Sequence, residues 1–488
     1  MSKKLSDNLF IHFFLLRTTV WGTTLSLLVG YSPLTERFAA GAGPKYQRPN
    51  IIIIMTDQMR AQAMGCAGNS QVHTPNLDKL ANQGVYLANM IANNPVCCPA
   101  RATILTGMYP HRHGMIINDL RLRERERSLA ELLADHDYAT GFVGKWHLDG
   151  GIRMPGYIPP GLRRQGFQFW AANECNHNHF DSIYFRDSCK PIPIKKFEPE
   201  VWTDEAVSFI RQNNDRPFFL WWACGPPHNP YGAPEQYEKL YDTAKLKMRP
   251  NWKEQTRWGS RLDIAKYYAA ITAIDDQVGR FMRILDELGI AEDTILLFTS
   301  DHGDMLGSQD AVFKCKPWAE SINVPGIIRY PRRIKAGQRR DLLISHVDFV
   351  PTLLSFCGIS IPDNIQGRDL SEHLASRDGR EPEAVLLQNF EPRPQTGVPA
   401  AWRGVRTKRY TYARLRDKPW VLYDLRKDPY ELNNLVDDPS SAALLAKMDA
   451  LLQQEMERVG DSWDTNMTEC YRIYDKPFVY HPHDWFVK

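Results

Sequence analysis

The chain has 488 residues, of which 43% are hydrophobic and 24% charged, values typical of a folded protein that can bury a substantial core in one large domain with a smaller partner. A net charge of +3, without long Lys/Arg runs, gives no reason to expect a nucleic-acid partner. Nine scattered cysteines without a C-x-x-C pair argue against a disulfide scaffold and a structural zinc site.

Residues 1–43 have the composition of an export signal. Lys3 and Lys4 precede a short apolar segment, Val20–Tyr31, and small residues follow at 39–42. The apolar segment is shorter than the roughly 20 residues of a membrane span, although an uncleaved N-terminal anchor stays the alternative. No later segment is apolar enough to cross a bilayer, so no transmembrane partner is implied. We therefore expect an exported protein, periplasmic or secreted.

Continuous β-branched and aromatic runs predict strands that are buried on both faces. These runs lie at 50–55, 141–143, 218–222, 294–298 and 326–328. They alternate with helical patterns. The clearest runs from Asp263 to Leu288, where apolar residues recur every three or four positions and Gly289 supplies a stop. This alternation predicts a layered α/β domain over residues 44–379, with a largely parallel central sheet.

Polar residues directly follow four of these predicted strands, at the sheet edge where ligands gather in α/β folds. They are Asp57, Lys145 with His147, His228, and Asp301 with His302. This convergence indicates a functional site but does not specify its chemistry.

From about residue 380 the pattern changes to short alternating segments. Residues 384–387, 402–406, 410–412 and 421–423 predict a small antiparallel sheet, and a helix is predicted near 442–458. We expect residues 380–488 to form a second α+β subdomain with an aromatic-rich tail.

The segment Cys97-Cys98-Pro99-Ala100-Arg101, followed by Thr106-Gly107, closely resembles the C-x-P-x-R signature of the formylglycine-dependent sulfatases. Taken alone, it is explained equally well as a Pro-containing loop with a buried cysteine pair. Further segments resemble landmarks of that family and follow in the family's order: Thr74–Asp78, Gly107–Pro110 with His113-Gly114, Gly144–Leu148, His346–Asp348 before Pro351-Thr352, and Tyr423–Leu425 before Asp428-Pro429. The resemblance spans roughly residues 48–436.

The resemblance implies a sulfuric ester hydrolase with the α/β/α sandwich of the alkaline phosphatase superfamily. In this family a maturation enzyme oxidises the first cysteine of the signature, here Cys97, to formylglycine. One hydroxyl of the hydrated aldehyde attacks sulfur, and the other, on losing its proton, expels sulfate and regenerates the aldehyde. Because the modification requires an unfolded segment, it would precede folding and export.

The resemblance also implies a divalent cation held by Asp57, Gln58, Asp301 and His302, with the Cys97-derived hydrate or the substrate completing the shell. Carboxylate and amide oxygens favour Ca²⁺. Many family members have Asp where Gln58 stands and Asn where His302 stands. Since imidazole is a softer ligand, Mn²⁺ or Zn²⁺ stays possible.

Three basic residues take roles near the hydrate by family position. Arg101 would hold the hydrate and steady its loop, and Lys145 would bind the sulfate. His147 would take a proton from the hydrate hydroxyl.

Two further residues would contact sulfate and help to protonate the leaving oxygen. These are His228, within Pro226–Pro230, and a lysine near position 314. Lys314 fits the family spacing to Trp318 and Glu320 better than Lys316 does.

The polar and aromatic stretch Trp170–Phe185 suggests a wall for a sugar pocket, with Trp170 stacking on the sugar and the nearby histidines contacting its hydroxyls. A structural capping loop is the alternative. Together with the export signal, this stretch favours a sulfated sugar over a steroid or choline ester as the substrate, and an aryl sulfate stays open as an alternative.

Two other functions stay open from the sequence. Phosphonate monoester and phosphodiester hydrolases of the same superfamily share the pairs Asp57-Gln58 and Asp301-His302. A non-catalytic carbohydrate-binding relative would be expected to have a damaged Cys97 motif or damaged metal ligands, and the sequence has neither.

Overall fold

An eight-stranded sheet is the largest element of the computed structural model, which describes residues 48–151, 153–254, 258–379 and 381–463. The predicted export signal, residues 1–43, lies outside the described residues. The strands of this sheet, in spatial order, are β10 (Gln338–Ser345), β2 (Val85–Ile91), β9 (Gly326–Arg329), β8 (Thr294–Ser300), β1 (Asn50–Thr56), β7 (Phe218–Ala223), β3 (Ala139–Lys145) and β4 (Phe169–Asn173).

All neighbouring strands of this sheet are parallel except for β9, which runs antiparallel to both β8 and β2. In the central register Ile52 pairs with Leu220 on one side and Leu296 on the other, so one β-branched or aliphatic row crosses three strands. The predicted fold class, with a mostly parallel central sheet, is confirmed.

Helices cover both faces of the large sheet. Ile51 and Ile53 pack with residues of one helical layer, such as Leu105 and Leu353, whereas Ile52 packs on the opposite layer. The resulting three layers are an α/β/α sandwich. Within the described residues the α-helices are α1 (Pro75–Gln83), α2 (Cys97–Thr106), α3 (Pro110–His113), α4 (Leu129–Ala134), α5 (Glu198–Gln212), α6 (Glu235–Glu238), α7 (Arg261–Glu287), α8 (Ala319–Ile322), α9 (Phe349–Phe356), α10 (Ser371–Ser376) and α11 (Ala442–Val459).

The longest helix of the described residues, α7, spans Arg261–Glu287, so it begins two residues before the predicted Asp263 and ends one residue before the predicted Leu288. Ser260 and Asp263 form a reciprocal capping box at its start, and Gly289 adopts a left-handed φ of 68° just after its end. α7 has 27 residues, yet no helix of the described ranges is long and apolar enough to cross a membrane.

Three strands of the large sheet, β2, β4 and β10, were not predicted from the sequence. β2 contains a central Asn89, and β10 begins with the charged run Arg339–Asp341, so neither forms the continuous apolar run expected of a buried strand. Both strands lie at or near one edge of the sheet, where such residues reach solvent.

A four-stranded antiparallel sheet follows in the C-terminal region, as predicted. α11 packs on this sheet, with Leu452 and Met456 contacting Tyr412 and Leu422. The exact division of the chain at residue 380 stays a prediction. The strands of this sheet are β11 (Val385–Asn389), β12 (Trp402–Arg406), β13 (Tyr410–Leu415) and β14 (Pro419–Asp424), and a small separate hairpin is formed by β5 (Ser182–Tyr184) and β6 (Ile192–Ile194).

Candidate active site

The polar residues predicted at the strand ends meet at one edge of the large sheet. Asp57 follows β1 and Asp301 follows β8, and these two strands are direct neighbours. Lys145 ends β3, two strands away across β7. Cys97 is the first residue of α2 and reaches the same place. The arrangement follows the general rule that ligands bind at the carboxyl ends of parallel strands.

A fully buried cluster of four potential metal ligands lies at this edge. One ligand atom each from Asp57, Cys97, Asp301 and His302 lies within 4.8 Å of all the others. His302 Nε2 is 3.2 Å from Cys97 Sγ, 3.6 Å from Asp57 Oδ1 and 3.5 Å from Asp301 Oδ1. His302 Nδ1 bonds to the Gly303 carbonyl at 2.9 Å and must donate there, which leaves the Nε2 lone pair facing the cluster.

Gln58 adds a fifth potential ligand. Its Nε2 donates to Asp304 Oδ2 at 2.7 Å and to Asn229 Oδ1 at 3.2 Å, which fixes the orientation of the amide. Its Oε1 is buried and has no hydrogen-bond partner among the described residues. Gln58 also has a left-handed φ of 69°, which indicates backbone strain of the kind found at functional sites. Two carboxylates, an imidazole and an orphaned amide oxygen therefore fit a divalent cation.

Two cations offset the carboxylates of the cluster. Arg101 donates to Asp57 Oδ2 at 3.1 Å and to Asp301 Oδ2 at 3.2 Å, and its Nη1 donates to the Lys145 carbonyl at 2.6 Å. Lys145 Nζ donates to Asp57 Oδ2 at 2.6 Å. Burial would raise the pKa of Asp57, but Lys145 and Arg101 outweigh it and hold the pKa well below its usual value. Asp57 is therefore ionised and ready to bind a cation.

Cys97 occupies an electropositive position. It lies at the N-terminus of α2, and Lys314 Nζ donates to its Sγ at 3.0 Å. Burial and Asp57 would raise the pKa of the thiol, but Lys314, His302 and Lys145 lower it well below its usual value. The surroundings of residue 97 thus favour negative charge.

Lys314, rather than Lys316, reaches the cluster. Lys314 Nζ contacts His228 Nε2 at 3.1 Å, and His228 Nδ1 bonds to the Asn229 carbonyl at 2.5 Å. Burial and the Lys314 charge lower the pKa of His228 well below its usual value, so this histidine is neutral. Lys316 Nζ instead donates to the carbonyls of Val312 and Lys314, at 2.8 and 3.0 Å.

His147 lines the same pocket as Cys97. It has a left-handed φ of 57°, and its Nε2 lies 3.2 Å from Asp119 Oδ1. Arg153 holds Asp119 from the other side, with Nη2 donating to Oδ2 at 2.9 Å. Asp119 therefore orients both basic side chains.

A pocket of about 380 Å³ opens above this cluster. This volume lies in the range of ligand sites for small molecules. Cys97 and Gln58, although buried, line this pocket, whereas Asp57, Asp301 and His302 are not among its lining residues. Its remaining lining residues come from several loops, including one that follows β11 of the second sheet: Asn118, His147, Arg153, His177, His228, Asn229, Pro230, Trp258, Phe313, Lys314, Cys315, Arg393, Gln395 and Thr396.

The interpretation of Trp170–Phe185 is half right. His177 lines the pocket, but Trp170 belongs to β4 and is buried in the core against Phe142 and Trp146. Its place in a strand of the sheet turns its ring away from any ligand.

Sequence reasoning missed five residues near the site: Asn229, Asp304, Asp119, Arg153 and Arg393. Asn229 and Asp304 lie within two residues of the predicted His228 and His302, so proximity in the sequence was a usable signal. The two arginines lie in irregular loops and carry no local pattern.

Comparisons with known proteins agree with this geometry. The profile of the family described as Sulfatase matches residues 49–359, and the profile described as N-sulphoglucosamine sulphohydrolase, C-terminal, matches residues 313–458. The ulvan-active sulfatase of Formosa agariphila is 38% identical over 423 residues, which cover 85% of this chain and 82% of that protein. The N-acetylglucosamine-6-O-sulfatase of Bacteroides thetaiotaomicron is 26% identical, with 85% of this chain and 88% of that protein covered. The solved structure of the sulfatase yidJ from Bacteroides fragilis has a TM-score of 0.78 at 30% identity, with 87% of this chain and 97% of that chain covered.

Proposed function

Since the chain belongs to the sulfatase family and is a sulfuric ester hydrolase, we propose that it removes sulfate from a sulfated carbohydrate, using a formylglycine at position 97 and a divalent cation. The observation that carries this proposal is the buried cluster of Asp57, Cys97, Asp301 and His302 beneath a pocket into which Cys97 opens. A phosphoester or phosphonate hydrolase of the same superfamily is the competing enzyme.

Cys97 is the residue to be modified, by a formylglycine-generating maturation enzyme. The change is a two-electron oxidation for which the maturation enzyme supplies the oxidant: the Cβ–S bond and one Cβ–H bond are replaced by a Cβ=O bond, and the sulfur leaves as sulfide. In the folded chain Cys97 is only 1% exposed and is hydrogen-bonded within α2, which leaves a second enzyme no access to it. The modification must therefore precede folding. We propose that it also precedes export of the chain to the periplasm or the medium, which residues 1–43 would direct.

The cation would be held by Asp57, Gln58, Asp301 and His302, together with residue 97. When bound, it supplies positive charge that orients the nucleophile and offsets the charge developing on the sulfuryl oxygens. Ca²⁺ is our first assignment, because three of the four side chains offer oxygen. The imidazole of His302 keeps Mn²⁺ and Zn²⁺ as alternatives.

The side chains around position 97 take the remaining roles in sulfate binding and proton transfer. Lys145 and Lys314 place two ammonium groups beside it for the sulfate oxygens, and Arg101 ties residue 97's helix to both carboxylates. The ammonium of Lys314 is placed to protonate the leaving oxygen, and the neutral His228, whose Nε2 accepts a hydrogen bond from Lys314 Nζ, positions it. We assign His147, oriented by Asp119, to the hydroxyl proton whose loss releases sulfate.

The substrate class is inferred from the pocket and from the names of the relatives. Those names identify ulvan and N-acetylglucosamine-6-sulfate chemistry in two similar proteins. The pocket of about 380 Å³ carries two neighbouring aromatic rings, Trp258 and Phe313, whose centroids are 6.0 Å apart. Aromatic faces of this kind pack against the apolar face of a sugar ring. A sulfated mono- or oligosaccharide therefore suits the site better than a simple aryl sulfate.

Two measurements test the proposal. The first is the mass of the proteolytic peptide that contains residue 97, after co-expression with a competent maturation enzyme. We expect this peptide to be lighter than the unmodified form by the difference between a thiol and an aldehyde. An active enzyme with an intact Cys97 thiol would refute the mechanism.

The second measurement compares turnover of an aryl sulfate with that of an aryl phosphodiester, followed by a panel of defined sulfated sugars. We expect the sulfate ester to be preferred, and at least one sulfated sugar to be turned over with a higher kcat/KM than the aryl sulfate. A clear preference for the diester would instead favour the competing hydrolase.

A further inference from the structure

The residues that line the active-site pocket carry more positive charge than the reacting sulfate group requires. None of the described residues that line the pocket is an aspartate or a glutamate, whereas three are Arg or Lys and three are His. Lys314 contacts Cys97 and His228 and so belongs to the reacting end. Arg153 and Arg393 contact neither of these residues by hydrogen bonds, so their charges are left for another part of the substrate.

Both arginines are held in the same way. Arg153 donates through Nε and Nη2 to Asp119, at 3.0 and 2.9 Å. Arg393 donates through Nε and Nη2 to Glu391, at 3.1 and 2.6 Å. In neither residue does Nη1 have a hydrogen-bond partner among the described residues. Each carboxylate therefore fixes one edge of a guanidinium and leaves the other edge available to a ligand in the pocket.

The two guanidinium groups come from different parts of the fold, yet their positive charges repel each other. Arg153 follows the β3 segment of the large sheet, and Arg393 lies in the loop after β11 of the second sheet. Burial and Arg393 both oppose the charge on Arg153, but Asp119 outweighs them and raises the pKa of that guanidinium. Two like charges that share one pocket wall, without an acidic lining residue between them, favour an anion from the ligand.

We propose that Arg153 and Arg393 form a subsite for a second anionic group of the substrate, either a carboxylate or another sulfate, next to the ester that is cleaved. The inference rests on the proposed function and narrows its substrate to acidic sulfated carbohydrates. Arginine suits this task because its planar fork binds oxyanions bidentately.

The test uses the mature enzyme and four substrates: a neutral aryl sulfate, a sulfated disaccharide containing a uronic acid, the same disaccharide with its carboxylate converted to the methyl ester, and a disulfated neutral disaccharide. Arg393→Gln is the informative variant, because Arg153 also holds the Asp119 that orients His147. Arg393→Lys keeps the charge without the fork. Arg211→Gln, which breaks an exposed pair with Glu287 far from the pocket lining, is the matched control.

We expect the wild type to have a lower KM for the uronic acid or the disulfated disaccharide than for the methyl ester. The preferred one of the two anionic substrates identifies the group that is bound. Arg393→Gln should raise the KM for that substrate by about 10- to 100-fold, the range of a lost charge-assisted hydrogen bond. The KM for the aryl sulfate, which has no second anionic group, should rise much less than that, and Arg393→Lys should be intermediate.

Binding without turnover separates this inference from the proposed function. Titration of Cys97→Ala protein with the unsulfated uronic-acid disaccharide should give measurable affinity that Arg393→Gln removes. If such binding is found but no sulfate ester is turned over, the subsite stands and the proposed reaction is wrong. If turnover is normal and anionic and esterified sugars are treated alike, the subsite is wrong and the reaction stands. A folded Arg393→Gln protein with equal losses on all substrates would also overturn it.

Discussion

The floor and the wall of the pocket are built on different principles. We use pocket floor for Asp57, Gln58, Cys97, Asp301 and His302, and pocket wall for Arg153, His177, Trp258, Phe313 and Arg393. The floor residues directly follow strands of the large sheet or begin a helix, and all of them are buried. The wall residues come from loops of both sheets.

The charges of the two regions are balanced differently. Arg101 and Lys145 neutralise the floor carboxylates from within, so a change to one member leaves its partner buried and uncompensated. Each wall arginine is neutralised by one carboxylate behind it and faces open space. From this difference we expect the reaction and the choice of substrate to be separable, with the floor acting on any sulfate ester and the wall selecting among them.

The largest effect should follow from removing the reactive group of the floor. Cys97→Ala cannot be converted to an aldehyde, so we expect kcat to fall by at least about 10⁴-fold for every substrate. Because alanine fits the first turn of α2, the protein should still fold, as circular dichroism and thermal unfolding would report. The matched control is Cys357→Ala, which removes another buried thiol that does not line the pocket and should stay active. Substantial turnover by Cys97→Ala would mean that the reaction does not depend on residue 97 of the pocket floor, which would contradict the division between floor and wall.

The next effect concerns the boundary between the two regions. Lys314→Met should lower kcat by about 10²- to 10³-fold for a sugar sulfate, because the Lys314–His228 pair would no longer help to protonate a poor leaving group. An aryl leaving group needs less help, so its loss should be smaller. Lys239→Met, which removes an exposed lysine paired with Glu235 outside the pocket lining, is the control. Equal losses for both leaving groups would mean that Lys314 only binds sulfate.

A smaller effect should come from beneath the floor. Asp304 fixes the Gln58 amide, and Asp304→Ala would free that amide to turn its oxygen away from the cation. Loss of such supporting partners lowers metal affinity by about 10- to 100-fold. Titrating metal-stripped protein with Ca²⁺ or Mn²⁺, with calorimetry as the readout, measures this change. Asp310→Ala in the same segment, at an exposed pair with Lys253, is the control. If Asp304→Ala binds the cation with unchanged affinity, Gln58 is not one of the metal ligands.

The sequence predicted the floor far better than the wall, for a physical reason. Floor residues such as Asp57 and Asp301 directly follow long buried apolar runs, so one local pattern identifies both the strand and its catalytic edge. Arg153 and Arg393 meet only through the tertiary fold, and nothing in their local sequence distinguishes them from surface arginines. The opposite error was made for Trp170. It was predicted to face the pocket because it lies in a polar stretch of sequence, but its side chain is buried in the core.

Burial also explains which strands and helices of the fold could be predicted from the sequence. The central strands and α7 were predicted because burial requires an apolar pattern of a fixed period. β2 and β10 were missed because strands near a sheet edge tolerate Asn89 or Arg339. The family resemblance supplied what periodicity could not: the sandwich architecture and the class of sulfuric ester hydrolase, both of which are confirmed.

Lys316 allows the smallest and most specific test, because it is buried and forms no ion pair with a carboxylate of the described residues, whereas Arg101 and Lys145 pair with Asp57. It anchors the segment that carries Phe313 and Lys314, through carbonyl contacts alone. Burial lowers its pKa from 10.5 to about 8. Between these values the unfolded chain binds more protons than the folded chain, so the stability of the wild type should rise with pH across this window.

Lys316→Met has no such titration. We therefore expect the free energy of unfolding of the wild type, relative to this variant, to increase between pH 8 and 10 by roughly 1.4 kcal/mol per pH unit. Urea unfolding at a series of pH values measures this difference, with the exposed Lys245→Met as the control. Below pH 8 both folded and unfolded chains are protonated and the difference should be constant. Parallel stability curves up to pH 10 would mean that Lys316 stays charged when buried. Hydrogen bonds to carbonyls alone would then stabilise a buried ammonium group as the carboxylate of Asp57 stabilises that of Lys145.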